Sequence, residues 1–368
     1  MHLLSDLLKK MQAKHNKIKK ILVTVPTLTL GGMERAALNY AKMLMAHNVQ
    51  VNIFLISSDE VNYVVPDDIK IIFGKKKDQS KWFIPLSLYK LRKLVSSFKP
   101  DFVLSFSGRL SSYVILSLLG VNSNVIPMHR SNPYIDHGKL DTLLNKMLFP
   151  KCKALIVQTK TAKEIFKIKY NNPNIIVIPN PVREILIDKK IEKEKIIVTV
   201  SRLVKGKGLE RLIRMFKTIN NQDWRLFIIG GGYLKNDLKR VIHELSLDDH
   251  VILTGFQQNV DYYLSLASIF AFTSESEGYP NALLEAMVAG LPCISFDCIT
   301  GPSDMIIDGL NGYLVPINDD QQFIEKLQKL MNSKNLRYEF GKEAKKLKYK
   351  NSFDEIGRIL ITSLQNIK

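Results

Sequence analysis

The stretch Glu275–Pro292, ESEGYPNALLEAMVAGLP, constrains this chain more than any other, because of the apolar runs that bracket it. Ser268–Thr273 (SIFAFT) and Cys293–Phe296 (CISF) are short, continuous and apolar, as strands buried on both faces are. Between them Pro280–Ala289 reads as a helix: a proline at the start forfeits an N–H that would have had no partner, and Gly290 stands just past the end. Strand, helix, strand is the unit of a parallel sheet. Glu277 falls in the loop before the helix, and Glu285 lies just over one turn inside it, on the face shared with Asn281. Two carboxylates thus converge on a helix start, where backbone N–H groups favour anions. Such carboxylates serve a ligand that carries hydroxyls beside its phosphates. The spacing alone equally describes ordinary first-turn and surface acids of a helix.

The same alternation runs along the whole chain. Lys20–Pro26, Val49–Ile56, Ile69–Phe73, Asp101–Phe106, Asn124–Met128, Ala154–Gln158 and Ile175–Ile178 read as strands with helical segments between them, which predicts a doubly wound α/β sheet. After the proline-rich Ile178–Val182 (IPNPV) the chain is charged and patternless up to Lys195, as a linker would be. The rhythm restarts at Ile196–Val200 and continues through a helix from about Gly208 to Ile219, the strand Arg225–Ile229, a helix from about Leu234 to Leu245 and the strand Val251–Leu253. Two α/β domains are therefore expected, residues 1–182 and 183–352, with an amphipathic helix leading into Lys20 and helical segments from Asp319 to the end.

Charge separates the halves. The chain has 368 residues and a net charge of +18. Residues 1–183 hold 28 Lys and Arg against 11 Asp and Glu, an excess of 17, whereas residues 184–368 hold 25 against 24, an excess of one. A basic half points to an anionic partner: nucleic acid, an anionic membrane surface or a pyrophosphate-bearing lipid. Lys81–Lys99 gives an apolar stripe through Leu88, Leu91, Val95 and Phe98, with Trp82 and Phe83 before it, fitting either a core helix or one lying at a membrane interface. No repeated aromatic-plus-basic platform favours nucleic acid. Three cysteines without metal-ligand spacing fit a reduced compartment, and no stretch approaches the roughly 20 apolar residues of a membrane span. The N-terminus has charges on both sides of a very short apolar run, unlike a secretory signal. A cytoplasmic location is expected, with any membrane contact peripheral and on the inner face.

The chemistry collects at strand ends, where doubly wound sheets bind ligands. The strand Ile196–Val200 runs directly into SRLVKGKG, so Arg202 and Lys207 stand at its carboxyl end just before a helix, suited to neutralising a diphosphate leaving group. Gly31 and Gly32 follow the first strand and precede a helix from Met33 to about Ala46, which suits either a phosphate approach or a plain tight turn. They lack the third glycine of the dinucleotide fingerprint, and no GxxxxGK[ST] occurs. His129, in PMHRSNP, closes another strand; it reads as a site residue or as a structural histidine. Gly230–Gly232 make a third glycine-rich strand end. The chain has no Asp-x-Asp and no histidine–carboxylate cluster at metal spacing. No cofactor or metal is expected, and Arg202 and Lys207 would supply the positive charge instead.

EGYPNALLE followed by AMVAGLPCI closely resembles the signature of the family-4 retaining glycosyltransferases, nucleotide-sugar enzymes built of two Rossmann-like domains facing across a cleft, the GT-B fold. The GGxE loop at Gly31–Glu34, His129, the SRL and KG pieces with Arg202 and Lys207, and LTGF at Leu253–Phe256 are similar to family segments in the same order. SFDCITGPSD (Ser295–Asp304) and DGLNGYLVP (Asp308–Pro316) resemble segments of transferases building bacterial polysaccharides and lipid-linked oligosaccharides, the N-acetylgalactosamine α-1,4 type among them. The resemblance implies that Gly32 lies over the donor phosphates, that Arg202 and Lys207 hold the pyrophosphate and that Glu285 takes the ribose hydroxyls. It puts Asn281, Leu283 and Leu284 near the phosphates, Glu277 beside the transferred sugar, and His129 at the acceptor as base or positioning group. It also implies that the last helix, 353–367, packs back on the first domain. The expected activity is metal-independent, retaining transfer of a hexose or N-acetylhexosamine from a nucleotide-sugar, with UDP as the expected nucleotide. The expected acceptor is a growing bacterial surface glycan on a polyprenyl-pyrophosphate carrier. A nucleotide-sugar epimerase of the same fold and a basic nucleic-acid-binding protein are the alternatives.

Overall fold

Runs of apolar residues become strands here because both faces of each sheet are covered. The computed structural model describes residues 18–29, 31–74, 83–135, 138–219 and 223–367. The helix expected before Lys20 and the aromatic Trp82 fall outside them. The chain divides into two units, residues 1–181 with 353–368, and residues 182–352.

The first unit alternates β1 (Lys20–Val25), α1 (Gly32–Ala46), β2 (Gln50–Leu55), β3 (Lys70–Phe73), α2 (Phe83–Phe98), β4 (Phe102–Ser105), α3 (Ser111–Ser117), β5 (Val125–Pro127), α4 (Lys139–Leu148), β6 (Leu155–Val157), α5 (Lys160–Tyr170) and β7 (Ile175–Val177). The sheet is parallel in the order β3-β2-β1-β4-β5, and a bridge from Met128 to Ile156 carries it on to β6 and β7. Successive side chains of a strand point to opposite faces. Accordingly Ile21, Val23 and Val25 join the core under α1, while Leu22 joins the core under α2 and α3. The α2 stripe belongs to that second core: Leu91 and Val95 are buried, and Leu88 and Phe98 pack against them. The apolar face that also fitted a membrane interface is therefore occupied by the unit's own sheet.

The second unit runs β8 (Ile196–Val200), α6 (Leu209–Ile219), β9 (Arg225–Ile229), α7 (Lys235–Glu244), β10 (Val251–Gly255), α8 (Val260–Leu266), β11 (Ile269–Phe272), α9 (Asn281–Ala289), β12 (Cys293–Asp297), α10 (Pro302–Met305), β13 (Gly312–Pro316), α11 (Asp320–Asn332), α12 (Lys334–Ala344) and α13 (Leu347–Lys350). Its parallel order is β10-β9-β8-β11-β12-β13. The edge strand β13 is absent from the sequence reading, for only its first residue and Val315 are buried and its run is short. The stretch after Val182 is held as part of this unit rather than left as a linker: Ile185 and Ile187 pack on its core, and Lys193 Nζ donates to the Ala267 carbonyl at 2.7 Å. The final helix, α14 (Phe353–Ile367), returns to the first unit, where Ile356, Leu360 and Leu364 are fully buried beside α1.

In each sheet the strand order reverses beside the first strand, between β1 and β4 and between β8 and β11. Loops leaving the carboxyl ends of such a strand pair diverge and leave a crevice. In the second unit these are the loops that carry Arg202, Lys207 and Glu277.

Candidate active site

The loop after β8 and the loop after β11 are clamped together at that crevice. Glu275 N–H donates to the Gly206 carbonyl at 2.9 Å, and the Thr273 hydroxyl donates to the Lys207 carbonyl at 3.1 Å. Gly208 permits this approach: its φ is +63°, and a Cβ there would sit 2.1 Å from the Thr273 carbonyl oxygen. Across the clamp Lys207 Nζ donates to Glu277 Oε1 at 2.6 Å and reaches Ser274 Oγ at 3.4 Å, with both members of the ion pair under a fifth exposed. The Glu277 backbone is pinned too, its carbonyl accepting from the hydroxyl of fully buried Thr300.

Glu277 leads directly into α9. Pro280 is the N-cap, and no side chain caps the helix. Leu284 N–H donates to the Pro280 carbonyl at 3.1 Å, so the N–H groups of the first turn, before Leu284, are the ones a helix leaves for an anion. The side chains of Leu283 and Leu284 are buried in the core, so any contribution to a ligand is through the backbone alone. The C-terminus ends as the sequence predicts, with Gly290 left-handed at φ +82°.

Glu285 is 8% exposed, which removes the reading of it as a surface acid. Its Oε2 accepts from Arg183 Nε at 3.2 Å, and the same guanidinium grips Asp261, with Nη1 to Oδ2 at 2.9 Å. Burial alone would raise the Asp261 carboxyl; the Arg183 guanidinium and the Leu186 N–H outweigh it and hold it below its ordinary value. Arg183 and Asp261 are absent from the sequence reading. Arg183 lies 102 positions from Glu285 in a stretch read as linker, and no spacing rule connects them.

Glycines 230–232 have a structural account. A Cβ at Gly230 would sit 1.9 Å from the Ser201 carbonyl oxygen, and Leu203 N–H donates to the Gly231 carbonyl at 2.9 Å, so the triplet seats the loop that bears Arg202. In the first unit Gly32 opens α1 with nothing within 4 Å of where its Cβ would be. Glu34 of the same turn accepts from the Thr27 hydroxyl at 3.2 Å. His129 follows β5, its N–H donating to the Ile156 carbonyl at 2.8 Å and its ring 4.4 Å, edge-on, from Phe166. Only 9% of it is exposed.

A cation loop clamped beside a helix start that no side chain caps, at the switch point of a doubly wound sheet, is an arrangement for holding a phosphorylated ligand. The Glycosyl transferases group 1 model matches residues 183–347, and the Glycosyltransferase Family 4 model matches residues 30–184. The chain is 31% identical over 280 residues to an uncharacterized glycosyltransferase of Methanocaldococcus jannaschii, covering 67% of this chain and 68% of that one. It is 26% identical over 349 residues to the N-acetylgalactosamine-N,N'-diacetylbacillosaminyl-diphospho-undecaprenol 4-alpha-N-acetylgalactosaminyltransferase of Campylobacter jejuni, covering 89% and 94% of the two chains. Among solved structures, a mutant of S. aureus TarM in complex with fondaparinux, alpha-GlcNAc-glycerol and UDP superposes with a TM-score of 0.81 at 17% identity, over 94% of this chain and 100% of that one. The chain belongs to this glycosyltransferase family and has its GT-B fold.

Proposed function

We propose that this glycosyltransferase moves a hexose or N-acetylhexosamine from a UDP-sugar onto a bacterial surface glycan carried on a polyprenyl-pyrophosphate lipid, with retention and without a metal. The Lys207–Glu277 pair is the observation that carries the reading. A clamped lysine 2.6 Å from a carboxylate, beside a helix start that no side chain caps, can neutralise a departing diphosphate while the carboxylate stands at the sugar. Arg202, on the loop seated by the glycine triplet, adds a second cation, and the first-turn N–H groups of α9 add the helix dipole. Glu285, oriented by Arg183, takes the ribose hydroxyls. His129, in the first unit, serves the acceptor. Retention then follows from front-face attack, in which the departing phosphate oxygen helps to take the acceptor proton. The lipid-linked acceptor is supported by the Campylobacter relative, whose name carries a diphospho-undecaprenol acceptor, and the UDP donor by the UDP bound to TarM.

The test is thermal-shift binding of UDP-, GDP-, ADP- and dTDP-sugars in EDTA, followed by NMR of the product formed on a polyprenyl-pyrophosphate glycan. Stabilisation by one UDP-sugar, and a product that keeps the donor's anomeric configuration, are expected. Inversion would remove the front-face mechanism, and conversion of the UDP-sugar without acceptor would make the protein an epimerase.

A further inference from the structure

The helix α4 has its polarity reversed. An amphipathic helix of an α/β domain ordinarily turns its apolar stripe inward. In α4 the buried residues are Asp141 and Asn145, while Leu140, Leu143 and Met147 are 62%, 55% and 56% exposed. The inward polar face is fully served. Asp141 accepts from Tyr113 Oη at 2.6 Å and from Arg109 Nε at 3.0 Å, and Asn145 donates to the Gly108 carbonyl at 2.9 Å and accepts from Ser112 Oγ. Those bonds fix the helix by its polar side and hold Leu140, Leu143 and Met147 out, while Leu144 and Leu148 are half-buried beside the polar face.

At about 100° per residue, Leu140, Leu143 and Met147 fall within one narrow stripe, and the exposed Lys139 and Lys146 flank it on the same side. Elsewhere in this unit, Tyr134 and Ile135 of the loop before the helix are 60% and 43% exposed, and Leu119 past the end of α3 is 59% exposed. We propose that this face of the first unit, the α4 stripe with its two lysines, is the surface that docks on an anionic lipid bilayer. Leucine and methionine side chains would enter the headgroup boundary while the lysine stems lie along the apolar surface with their charges at the lipid phosphates. The charge argues for this occupant over a second copy of the chain. A two-fold contact through the stripe with the helices antiparallel would set the two lysines against their copies, and any such contact would join two halves that each carry an excess of 17 positive charges. The proposal rests on the lipid-linked acceptor reading only for its purpose, and its measurement is independent of donor chemistry.

The experiment is flotation of the full chain with vesicles of phosphatidylglycerol and phosphatidylcholine, against vesicles of phosphatidylcholine alone, at low and high salt. Wild type is expected to float with the anionic vesicles and to lose this in high salt. Replacing Leu140, Leu143 and Met147 together by Ser should cut partition about tenfold or more, and Lys139→Gln with Lys146→Gln about two- to fivefold. All these side chains are exposed, so the melting temperature and its shift by UDP-sugar should not move. Leu143→Trp guards against a folding artefact, since an interfacial aromatic should raise partition. Wild type left in the soluble fraction, or a triple variant that floats as wild type does, would overturn the proposal. So would sedimentation showing that the stripe holds a dimer which the triple variant splits without altering flotation. Loss of the UDP-sugar shift in wild type with flotation intact would strike the donor reading and leave the docking surface standing.

Discussion

The two units wind their sheets in the same way and differ in where they keep charge. In the second, cations are paired with carboxylates, Lys207 with Glu277 on the loops that leave β8 and β11, and Arg183 with Glu285 of α9 and Asp261 of α8. In the first, the group that follows β5 is the buried His129, and the neighbouring Arg130 guanidinium lies over Tyr40 and Phe106, 4.4 and 5.5 Å from the ring centroids. Its Nη1 donates to the Ile178 carbonyl at 3.1 Å, while its Nε and Nη2 are buried and have no hydrogen-bond partner, so a carbonyl and π faces stand where anions stand elsewhere. Among the described residues, lysines of that unit stand exposed on helices, as Lys139 and Lys146 do on α4 and Lys160 and Lys167 on α5. Charge at a switch point faces a ligand held in one pose, whereas charge spread over helix exteriors suits a broad anionic surface.

The largest test of that difference is Lys207→Ala. It removes the cation from the clamp and leaves Glu277 without its partner, and kcat/KM for the donor should fall about 10²- to 10³-fold, as removal of one charge-stabilising donor does. His129→Ala in the first unit should leave the donor Kd within about twofold while lowering kcat about 10²-fold if the imidazole transfers a proton, or raising only the acceptor KM if it positions the acceptor. Titrations in which both variants weaken the donor equally would break the division between the units.

Next in size is Arg183→Ala, read by thermal or urea unfolding. It leaves Glu285 and Asp261 buried without their cation. Losing one partner of a buried pair costs about 3–5 kcal/mol, and because Arg183 is about a third exposed the expected loss is nearer 2 kcal/mol. A melting temperature unchanged from wild type would mean that water satisfies both carboxylates. Asp261 gives the same network a pH dependence. Its folded-state value lies below the ordinary one, so its contribution is present above the unfolded-state value and is lost as pH falls from the ordinary aspartate range through the lower folded-state value. Asp261→Asn should flatten the acid limb of the stability curve while lowering stability at pH 7; equal slopes for the two proteins would remove Asp261 from the network.

Most strands of both sheets were legible in the sequence because buried parallel strands are unbroken apolar runs, and IIVTV or IFAF has few other uses. The residues of the candidate site were legible for a related reason, since each stands within a few positions of such a run, at a strand end or helix start. Arg183 and Asp261 were not, because an ion pair between positions 78 apart leaves no periodic trace. The reversed face of α4 was hidden as well: KLDTLLNKML reads as amphipathic either way round, and only the bonds from Arg109, Ser112 and Tyr113 decide which side is in. The same limit left α2 readable as either a core helix or an interface helix. Its stripe is real, but a periodic stripe does not say what covers it.

The smallest expected effect marks the other end of the comparison. Arg214 and Glu210 form an i,i+4 pair on α6, 2.8 Å apart, with both side chains more than half exposed. Arg214→Ala removes the same guanidinium from the same unit as Arg183→Ala, and the carboxylate it abandons is already in water. The loss should be about 0.3–0.5 kcal/mol in low salt, close to the detection limit of a melting curve, and should vanish in high salt, because exposed charges are screened within a Debye length. The Arg183 loss should survive the same salt, for burial shields its two carboxylates from counterions. Salt sensitivity of both losses, or of neither, would show that depth does not govern these pairs. Depth would then give no electrostatic ground for a difference between the second unit's paired charges and the first unit's exposed lysines.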